Sequence, residues 1–383
     1  MLFKSSKLEA EELKVIRSIS LMHKSLKYAL STPPRWNGIL RRNTFARAIQ
    51  GSNSIEGYLV SAEDAIAAVE GEEPLGANRE TWMAVTGYRN AMTYVLQLAK
   101  DPNFKINEGY LRSLHFMMLQ YDLSKHPGNW RPGSIWVRDE EKNENVYEAP
   151  QSEKIPGFIA ELIHYLQSDQ DSDHILIKAA MAHLNLVMIH PFSDGNGRMS
   201  RCLQSLMLAT GLEITDPTFS SIEEYLGRNT RAYYDVLAEV GQGSWNPQSN
   251  TKPWIHFSLI AHYRQAATSL RRTRFIAKLW DHLEREIKQR KLPERSIYAL
   301  SDAAVGYSVR AAHYKFLTEV SDVIASRDLK ILVDFGMLIP IGERRGRIYK
   351  ASEELKAVAL KIRNEEVTKI PDPFETQGEL IQG

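Results

Sequence analysis

The stretch that decides the fold is HPFSDGNGRMSR, residues 190–201, which joins two apolar segments. The first segment, residues 175–189, is apolar enough for a buried helix, and the proline after His190 disfavours helical geometry there, so the helix should end at that point. The second segment, residues 199–208, predicts another buried helix. Because glycine permits tight turns, residues 195–197 should turn the chain so that backbone N–H groups converge before the second helix.

The same stretch collects the side chains of nucleotide phosphate chemistry. Converging N–H groups at a helix N-terminus form an anion site that suits a di- or triphosphate. Asp194 offers a hard oxygen ligand for a magnesium ion shared with phosphate oxygens. Arg198 and Arg201 can fork onto further phosphate oxygens. His190, with an ordinary pKa of about 6.5, can take the proton of an attacking hydroxyl at neutral pH.

Taken singly, these residues have ordinary explanations, because a histidine at a helix end is usually a cap and an Asp-Gly-Asn-Gly run is usually a solvated turn. Their combination is far more specific. The stretch resembles the signature of the Fic family, His-x-Phe-x-Asp/Glu-Gly-Asn-Gly-Arg-x-x-Arg, and matches it at every fixed position. We therefore expect a mainly α fold built on a Fic-type helical bundle.

Fic enzymes transfer AMP from ATP to a hydroxyl side chain of a target protein, and they use Mg²⁺. The resemblance implies that His190 is the general base and Asp194 the metal ligand. It also implies that Arg201 contacts the γ-phosphate. The nucleotide-binding residues it implies are Gly195, Asn196, Gly197, Arg198 and Arg201. A phosphotransferring branch of the family alters the glycine turn, so the intact turn favours nucleotidyl transfer.

A second stretch, SNSIEG at residues 52–57, matches the family's inhibitory motif, Ser/Thr-x-x-x-Glu-Gly/Asn. It resembles the Fic class that carries its inhibitory helix before the catalytic stretch, with Ser52 and Glu56 as the inhibitory residues. If Glu56 pairs with Arg201, that guanidinium cannot receive the γ-phosphate. The alternative is a plain helix C-terminus closed by Gly57, with Glu56 exposed.

Residues 128–137 and 146–150 indicate a β-hairpin with a polar tip. In Fic proteins a hairpin at this place, the flap, aligns the target segment by strand addition, and Ile135, Trp136 and Val137 are our candidates for that edge. A hairpin that only covers the core is the alternative.

A helix over residues 222–240 resembles the one that walls the adenine pocket in the family, and Tyr234 and Gln242 are candidates for base contacts. Tyr234 is equally compatible with a core position. His115 and His183 lie within apolar helical segments, so we expect no ligands there: His115 should be a packing or surface residue, and His183 a core histidine with its hydrogen bonds satisfied.

The C-terminal part predicts a winged helix, from a helix closed by Gly336 and a strand pair at residues 337–341 and 347–351. Arginines on the wing, Arg344, Arg345 and Arg347, suit phosphate contact. However, the expected recognition helix carries Asp328 and Asp334, which oppose DNA. We therefore favour a protein-docking or dimer module over a DNA-binding one.

Composition sets few further limits. The chain has 383 residues with 43% hydrophobic content and a formal net charge of +1. A net charge this small gives no overall electrostatic attraction to nucleic acids or membranes. Cys202 is the only cysteine, so no intrachain disulfide can form. No apolar run approaches the roughly 18 residues of a membrane span, and no signal peptide is evident. We expect a cytoplasmic protein without membrane association.

The expected organisation is an N-terminal helical region carrying the inhibitory helix (residues 1–105), a Fic catalytic core (106–265), a winged-helix domain (270–365) and a disordered tail (366–383). The expected activity is AMP transfer from Mg-ATP to a Ser, Thr or Tyr hydroxyl of a target protein, inhibited by Glu56. Two alternatives stay open: AMP removal through Glu56 and water, and a DNA-binding regulator with a nucleotide-sensing Fic core. Self-modification and a homodimer also stay open.

Overall fold

The structure is a computed structural model, which describes residues 1–31, 35–139, 143–168, 174–212, 221–343 and 346–375. The chain divides into two compact units. The first unit comprises Met1–Ser31, Arg41–Ala267 and Pro371–Gly383. The second unit comprises Thr32–Leu40 and Thr268–Ile370. Every candidate catalytic, nucleotide-binding, inhibitory and flap residue belongs to the first unit.

Helices dominate the first unit. They are α1 (Ala10–Ser31), α2 (Asn37–Ile55), α3 (Ala62–Glu70), α4 (Arg79–Leu98), α5 (Glu108–Leu119), α6 (Ile155–Gln167), α7 (Ile175–Ile189), α8 (Asn196–Gly211), α9 (Glu223–Arg228), α10 (Thr230–Gly241) and the long α11 (Lys252–Gln289). The first residues of α2 and the later residues of α11 belong to the second unit. Within the described residues, no helix combines the length and the apolar character that crossing a membrane requires. The expected mainly α fold is confirmed.

The helices α7 and α8 form the centre of this unit's core. Most of their side chains are buried, and the two helices pack most extensively against each other. The first helix ends at Ile189, as predicted, because Pro191 follows and His190 adopts a left-handed conformation with a φ of 51°. The second begins at Asn196, where Gly195 turns the chain with a φ of 76°. The predicted pair of buried helices joined by a glycine turn is confirmed.

One helix prediction in this unit was wrong. The segment expected as a single helix over residues 222–240 is two helices, α9 and α10, which break at Asn229. The backbone of Asn229 lies at a φ of −127° and a ψ of 36°, and its side-chain Nδ2 donates to the carbonyl of Tyr225 at 2.8 Å. Asparagine side chains compete with helical hydrogen bonds in this way, which explains the break.

The predicted hairpin follows α5. Its strands, β1 (Trp136–Asp139) and β2 (Glu144–Glu148), pair in antiparallel fashion with a bulge between Val137 and Arg138. Ile135 extends the pairing, because its carbonyl accepts the N–H of Ala149 at 3.2 Å. The tip at residues 140–142 lies outside the described residues.

The second unit contains a small sheet and short helices. Its elements are α12 (Ser296–Ala304), β3 (Val309–Arg310), α13 (Ala311–Thr318), α14 (Asp322–Asp334), β4 (Leu338–Ile341), β5 (Ile348–Ala351) and α15 (Glu353–Glu365). The strands lie in the order β3-β5-β4, with antiparallel neighbours. The strand pair and the glycine at the helix end are present, with Gly336 at a φ of 70°. The winged-helix identity stays a prediction, and Arg344 and Arg345 lie outside the described residues.

The sequence argument about Asp328 was wrong. Its carboxylate is fully buried and receives hydrogen bonds from Nε of Arg295 at 2.5 Å and from the hydroxyl of Tyr314 at 3.1 Å. A buried, paired carboxylate presents no charge to a ligand at the surface, so Asp328 has no bearing on DNA binding. Asp334, in contrast, is exposed.

The tail expected over residues 366–383 includes residues that pack on α11. The ring of Phe374 stacks on the ring of His256 with centroids 4.2 Å apart and planes 10° apart. Asp372 accepts a hydrogen bond from Nη2 of Arg264 at 3.5 Å. Residues 376–383 lie outside the described part of the chain.

Candidate active site

The loop between α7 and α8 is closed by the side chain of Asn196. Its Oδ1 accepts the backbone N–H of Phe192 at 2.9 Å, and its Nδ2 donates to the carbonyl of the same residue at 2.9 Å. This side chain is 2% exposed, and both of its polar atoms bond inside the loop, so it shapes the turn. The nucleotide contact expected of Asn196 stays a prediction.

His115, on α5, supports the same loop from the outside. The N–H of Gly128 donates to its Nδ1 at 2.8 Å, so the proton of the neutral ring sits on Nε2, which donates to the carbonyl of Asp194 at 2.9 Å. The ring also stacks on Phe192, with centroids 3.7 Å apart. Burial lowers the pKa of His115 to about 4, which keeps the ring neutral in this arrangement. The sequence predicted a packing residue here and carried no signal for this support of the loop.

His190 presents one ring nitrogen as a proton acceptor. Its Nδ1 lies 3.1 Å from the carbonyl of Val187, and since a carbonyl only accepts, Nδ1 carries the proton and Nε2 carries the lone pair. The pKa of His190 is lowered to about 4, mainly by burial and also by the charge of Arg131, although the hydrogen bond to Val187 acts in the opposite direction. The ring is therefore neutral at pH 7 and can accept a proton, although it is a weaker base than its ordinary pKa suggested.

Asp194 is an ionised carboxylate bordered by cations. Burial raises its pKa, but the hydrogen bond from Lys125 and the charge of Arg198 hold the pKa below its usual range. The Nζ of Lys125 lies 2.7 Å from its Oδ2, and the N–H of Gly195 donates to its Oδ1 at 2.6 Å. A charged oxygen ligand beside a phosphate site fits Mg²⁺, which commonly takes one or two carboxylates together with substrate phosphates. Lys125 was not anticipated from the sequence.

Arg198 is a buried cation with unused donors. It is 0% exposed, and within the described part of the chain none of its three guanidinium nitrogens has a hydrogen-bond partner. The nearest carboxylate oxygen, Oδ1 of Asp194, is 3.8 Å from its Nη2. The guanidinium carbon lies 5.2 Å from the ring centroid of Tyr58, which follows the inhibitory motif and also accepts a hydrogen bond from Lys125 at 3.2 Å. Since buried donors are almost always bonded, those of Arg198 point to an anionic ligand.

Arg201 is held by the inhibitory motif, as the sequence predicted. Its Nη2 lies 2.6 Å from Oε1 of Glu56, and its Nε donates to Oγ of Ser52 at 2.7 Å. Burial lowers the pKa of Arg201, but the nearby carboxylate of Glu56 outweighs this effect and raises it. A Cβ on Gly197 would collide with Oε1 of Glu56, so only glycine admits the carboxylate here.

Tyr234 lies beside α2, the helix that carries Ser52 and leads to Glu56. Its hydroxyl donates to the carbonyl of Ile55, the last residue of that helix, at 3.1 Å. Gln242 is exposed at the end of α10, and its Oε1 accepts a hydrogen bond from Asn246 at 3.1 Å. The structure thus brings Tyr234 close to Glu56 and shows no contact of Gln242 with the motif among the described residues. Their role at an adenine ring stays a prediction.

The hairpin is fixed to the end of α7. The hydroxyl of Tyr147, on β2, donates to the carbonyl of Met188 at 2.8 Å. On β1, Trp136 is 49% exposed, while Ile135 and Val137 are half-buried. Since this sheet has two strands among the described residues, one edge of β1 has no strand partner there, which is the geometry that strand addition needs.

Comparisons with known proteins agree with this geometry. Residues 105–208 match the model of the Fic/DOC family. The chain is 28% identical over 209 residues to the protein adenylyltransferase Fic of Nematostella vectensis, which is 54% of this chain and 45% of that protein. A stretch of 58 residues, 14% of this chain and 12% of the relative, is 48% identical to the protein of the same name from Drosophila grimshawi. The chain thus spans less than half the length of these curated relatives.

Two solved structures resemble the fold. A Fic family protein from Desulfovibrio desulfuricans G20 superimposes with a TM-score of 0.59 at 19% identity, over 92% of this chain and 99% of that one. A Fic domain containing signaling protein from Bacteroides thetaiotaomicron gives a TM-score of 0.54 at 18% identity, over 68% of this chain and 96% of that one. At these identities the likeness concerns the fold alone.

Proposed function

We propose that this chain is a protein adenylyltransferase, which moves AMP from Mg-ATP to a Ser, Thr or Tyr hydroxyl of a target protein, because residues 105–208 match the model of the Fic/DOC family. The observation that carries this proposal is the buried guanidinium of Arg198, whose donors lack protein partners within the described residues and lie beside an ionised Asp194. A polyphosphate supplies the missing acceptors, and the relatives named above carry the same activity in their names.

Different residues of the site carry out the separate steps of the proposed reaction. The hydroxyl oxygen attacks the α-phosphorus while its proton passes to Nε2 of His190, and the bond to the leaving pyrophosphate breaks. Asp194 would hold the Mg²⁺, which when bound neutralises charge on the phosphate oxygens. The N–H groups at the start of α8, together with Arg198 and Arg201, stabilise the charge that develops in the transition state.

We propose that Glu56 inhibits this reaction. Its carboxylate holds Arg201 in a buried pair, and a pair of this kind costs about 3–5 kcal/mol to break when one partner is removed. While the pair persists, Arg201 cannot bind a γ-phosphate. ATP then lacks one of the contacts that set the α-phosphorus in line with the attacking hydroxyl.

The decisive experiment compares ATP labelled at the α-phosphate with ATP labelled at the γ-phosphate. The Glu56→Gly chain should label itself or a protein of a cell lysate from the α-labelled nucleotide only. The Glu56→Gly/His190→Ala chain should lose at least the roughly 100-fold typical of a missing general base. Label from the γ-position would reject nucleotidyl transfer, and an unchanged rate without His190 would reject the mechanism.

A second reaction at the same site, removal of AMP from a modified target, is favoured by the place of Glu56. Its carboxylate lies directly over Gly197 at the start of α8, where it can orient a water molecule toward the α-phosphorus. The two reactions depend on Glu56 in opposite ways. If a target loaded with AMP releases it in the presence of the unaltered chain but not of Glu56→Gly, removal is the reaction; transfer requires the reverse.

A further inference from the structure

Arg131 is a buried cation that bonds only to backbone carbonyls in the described part of the chain. It is 3% exposed, and its Nε donates to the carbonyl of His190 at 2.8 Å. Its Nη1 and Nη2 donate to the carbonyls of Gly133 and Pro150. Its own backbone N–H donates to the carbonyl of Pro191 at 2.9 Å. One residue thus holds four points of the chain together.

Those four points belong to two functional elements. Gly133 precedes the hairpin and Pro150 follows it, so the guanidinium joins both ends of the hairpin β1–β2. His190 and Pro191 are the corner where α7 ends and the catalytic loop begins. The side chain of Arg131 is therefore a direct link between the hairpin and the backbone of the general base.

Burying the charge of Arg131 is energetically unfavourable, which indicates a role for this residue beyond packing. Burial lowers the pKa of Arg131, with the charge of Glu153 acting in the opposite direction. A buried cation without an ion-pair partner is expensive, and a neutral side chain would fill the space at a lower cost. A guanidinium, however, carries its donors on three separate nitrogens in a rigid plane, so it reaches three carbonyls at fixed angles, whereas the three donors of a lysine ammonium share a single nitrogen.

We propose that Arg131 is a positioning residue, which sets the distance between a target hydroxyl aligned on the hairpin and Nε2 of His190. This inference rests on the proposed function, because it needs a target strand on β1. A misplacement of about 1 Å between reacting groups can slow a reaction about 100-fold. The positive charge also lies close enough to the imidazole to disfavour its protonation.

Two substitutions separate the geometry from the charge, both made in the Glu56→Gly chain. Arg131→Gln removes the charge and the fork, so it should lower transfer to protein about 100-fold and move the acid limb of the pH–rate profile to higher pH. Arg131→Lys keeps the charge but cannot bond three carbonyls, so transfer should fall while the acid limb stays in place. A merely structural role would not move the acid limb.

The affinity for nucleotide is the internal control. Titration calorimetry with a non-hydrolysable ATP analogue and Mg²⁺ should give a Kd within about twofold of the parent chain, because Arg131 does not face the phosphates. Arg89→Gln is the matched substitution, since Nη2 of Arg89 also donates to a backbone carbonyl, that of Val69 at 3.1 Å, away from the hairpin. It should change neither transfer nor the acid limb.

A measurement that does not depend on catalysis tests the role of Arg131 separately from the proposed function. Amide hydrogen exchange of the hairpin and of residues 190–196 should be about tenfold faster in Arg131→Gln than in the parent chain, because both ends of the hairpin lose their common link. Equal exchange together with equal transfer would overturn the inference. If the parent chain transfers nothing, the proposed function fails, and exchange alone decides the role of Arg131. If Arg131→Gln does not fold, Arg131→Lys replaces it in both measurements.

Discussion

The Oε1 of Glu56 lies 2.6 Å from Nη2 of Arg201, across 145 residues of sequence. The arginine is 1% exposed and the glutamate 21%, so the pair lies largely out of water. The same guanidinium also bonds the hydroxyl and the carbonyl of Ser52. Ser52 and Glu56 therefore hold Arg201 through three hydrogen bonds, and the release of Arg201 should be cooperative.

We expect Glu56→Gly to lower the free energy of unfolding by about 3 kcal/mol, because it leaves a buried guanidinium without its charge partner. A non-hydrolysable ATP analogue with Mg²⁺ should then raise the melting temperature of the variant more than that of the unaltered chain. Differential scanning calorimetry measures both effects. Glu56→Gln keeps the shape of the side chain but not its charge. Its free energy of unfolding and its stabilisation by nucleotide should lie between those of the unaltered chain and of Glu56→Gly. Equal nucleotide stabilisation of all three chains would contradict the inhibitory pair.

We expect Gly51→Ala to raise the rate of the proposed AMP transfer without changing Glu56 itself. The helices α2 and α9 meet so closely that a Cβ on Gly227 would lie 2.6 Å from Cα of Gly51, and a Cβ on Gly51 would strike the backbone of Glu223. A methyl group at Gly51 must push α2 away and weaken the hold on Arg201, at a cost of about 1–3 kcal/mol. Automodification with labelled ATP should rise. Gly38→Ala is the matched control in the same helix, because a Cβ there meets nothing within 4 Å.

Tyr234→Phe decides between two roles of the tyrosine. Its hydroxyl bonds the carbonyl of Ile55, so removing it should loosen the end of α2 and raise transfer in the chain that retains Glu56. The lost hydrogen bond corresponds to about 1 kcal/mol, or roughly a fivefold change. In the Glu56→Gly chain the substitution should have no effect on transfer. Weaker nucleotide binding in that second background would instead show an adenine contact.

The rate of transfer should stay level between about pH 5.5 and pH 8, as far as His190 controls it. Burial lowers the pKa of this imidazole to about 4, so the ring remains the neutral base throughout that range. A solvent-exposed histidine would lose activity below its ordinary pKa of about 6.5. Initial rates of the Glu56→Gly chain in constant ionic strength buffers test this. An acid limb near pH 6.5 would contradict a lowered pKa of His190.

Folding should weaken as the pH falls from about 6.5 toward 4, because several histidines are buried in the neutral form. Burial lowers the pKa to about 4 in His23 and to about 3 in His183 and His262. At these pH values the unfolded chain therefore binds protons that the folded chain does not bind. For each histidine whose pKa is lowered from 6.5 to 4, the free energy of unfolding falls by up to about 3 kcal/mol. Urea unfolding at a series of pH values should show this slope. His183→Gln should reduce it, while His126→Gln, at an exposed position, should leave it unchanged.

Local sequence sufficed for the elements whose causes lie within a few residues. Pro191 and Gly195 determine where α7 ends and α8 begins, because ring and backbone sterics act on neighbouring residues alone. The pairing of Glu56 with Arg201 was also anticipated, but from the resemblance of two motifs, since nothing local joins residues so far apart.

Tertiary structure alone decided how the site is held. The carbonyls around Arg131, the two bonds of His115, the ion pair between Lys125 and Asp194 and the contact of Tyr234 with Ile55 all join distant segments. Such contacts leave no periodicity or turn signal, because each depends on which surfaces the packed helices bring together. The weak basicity of His190 has the same origin, since burial is a property of the folded chain. The sequence by itself therefore determined which groups can act, and the fold decided which of them are free to do so.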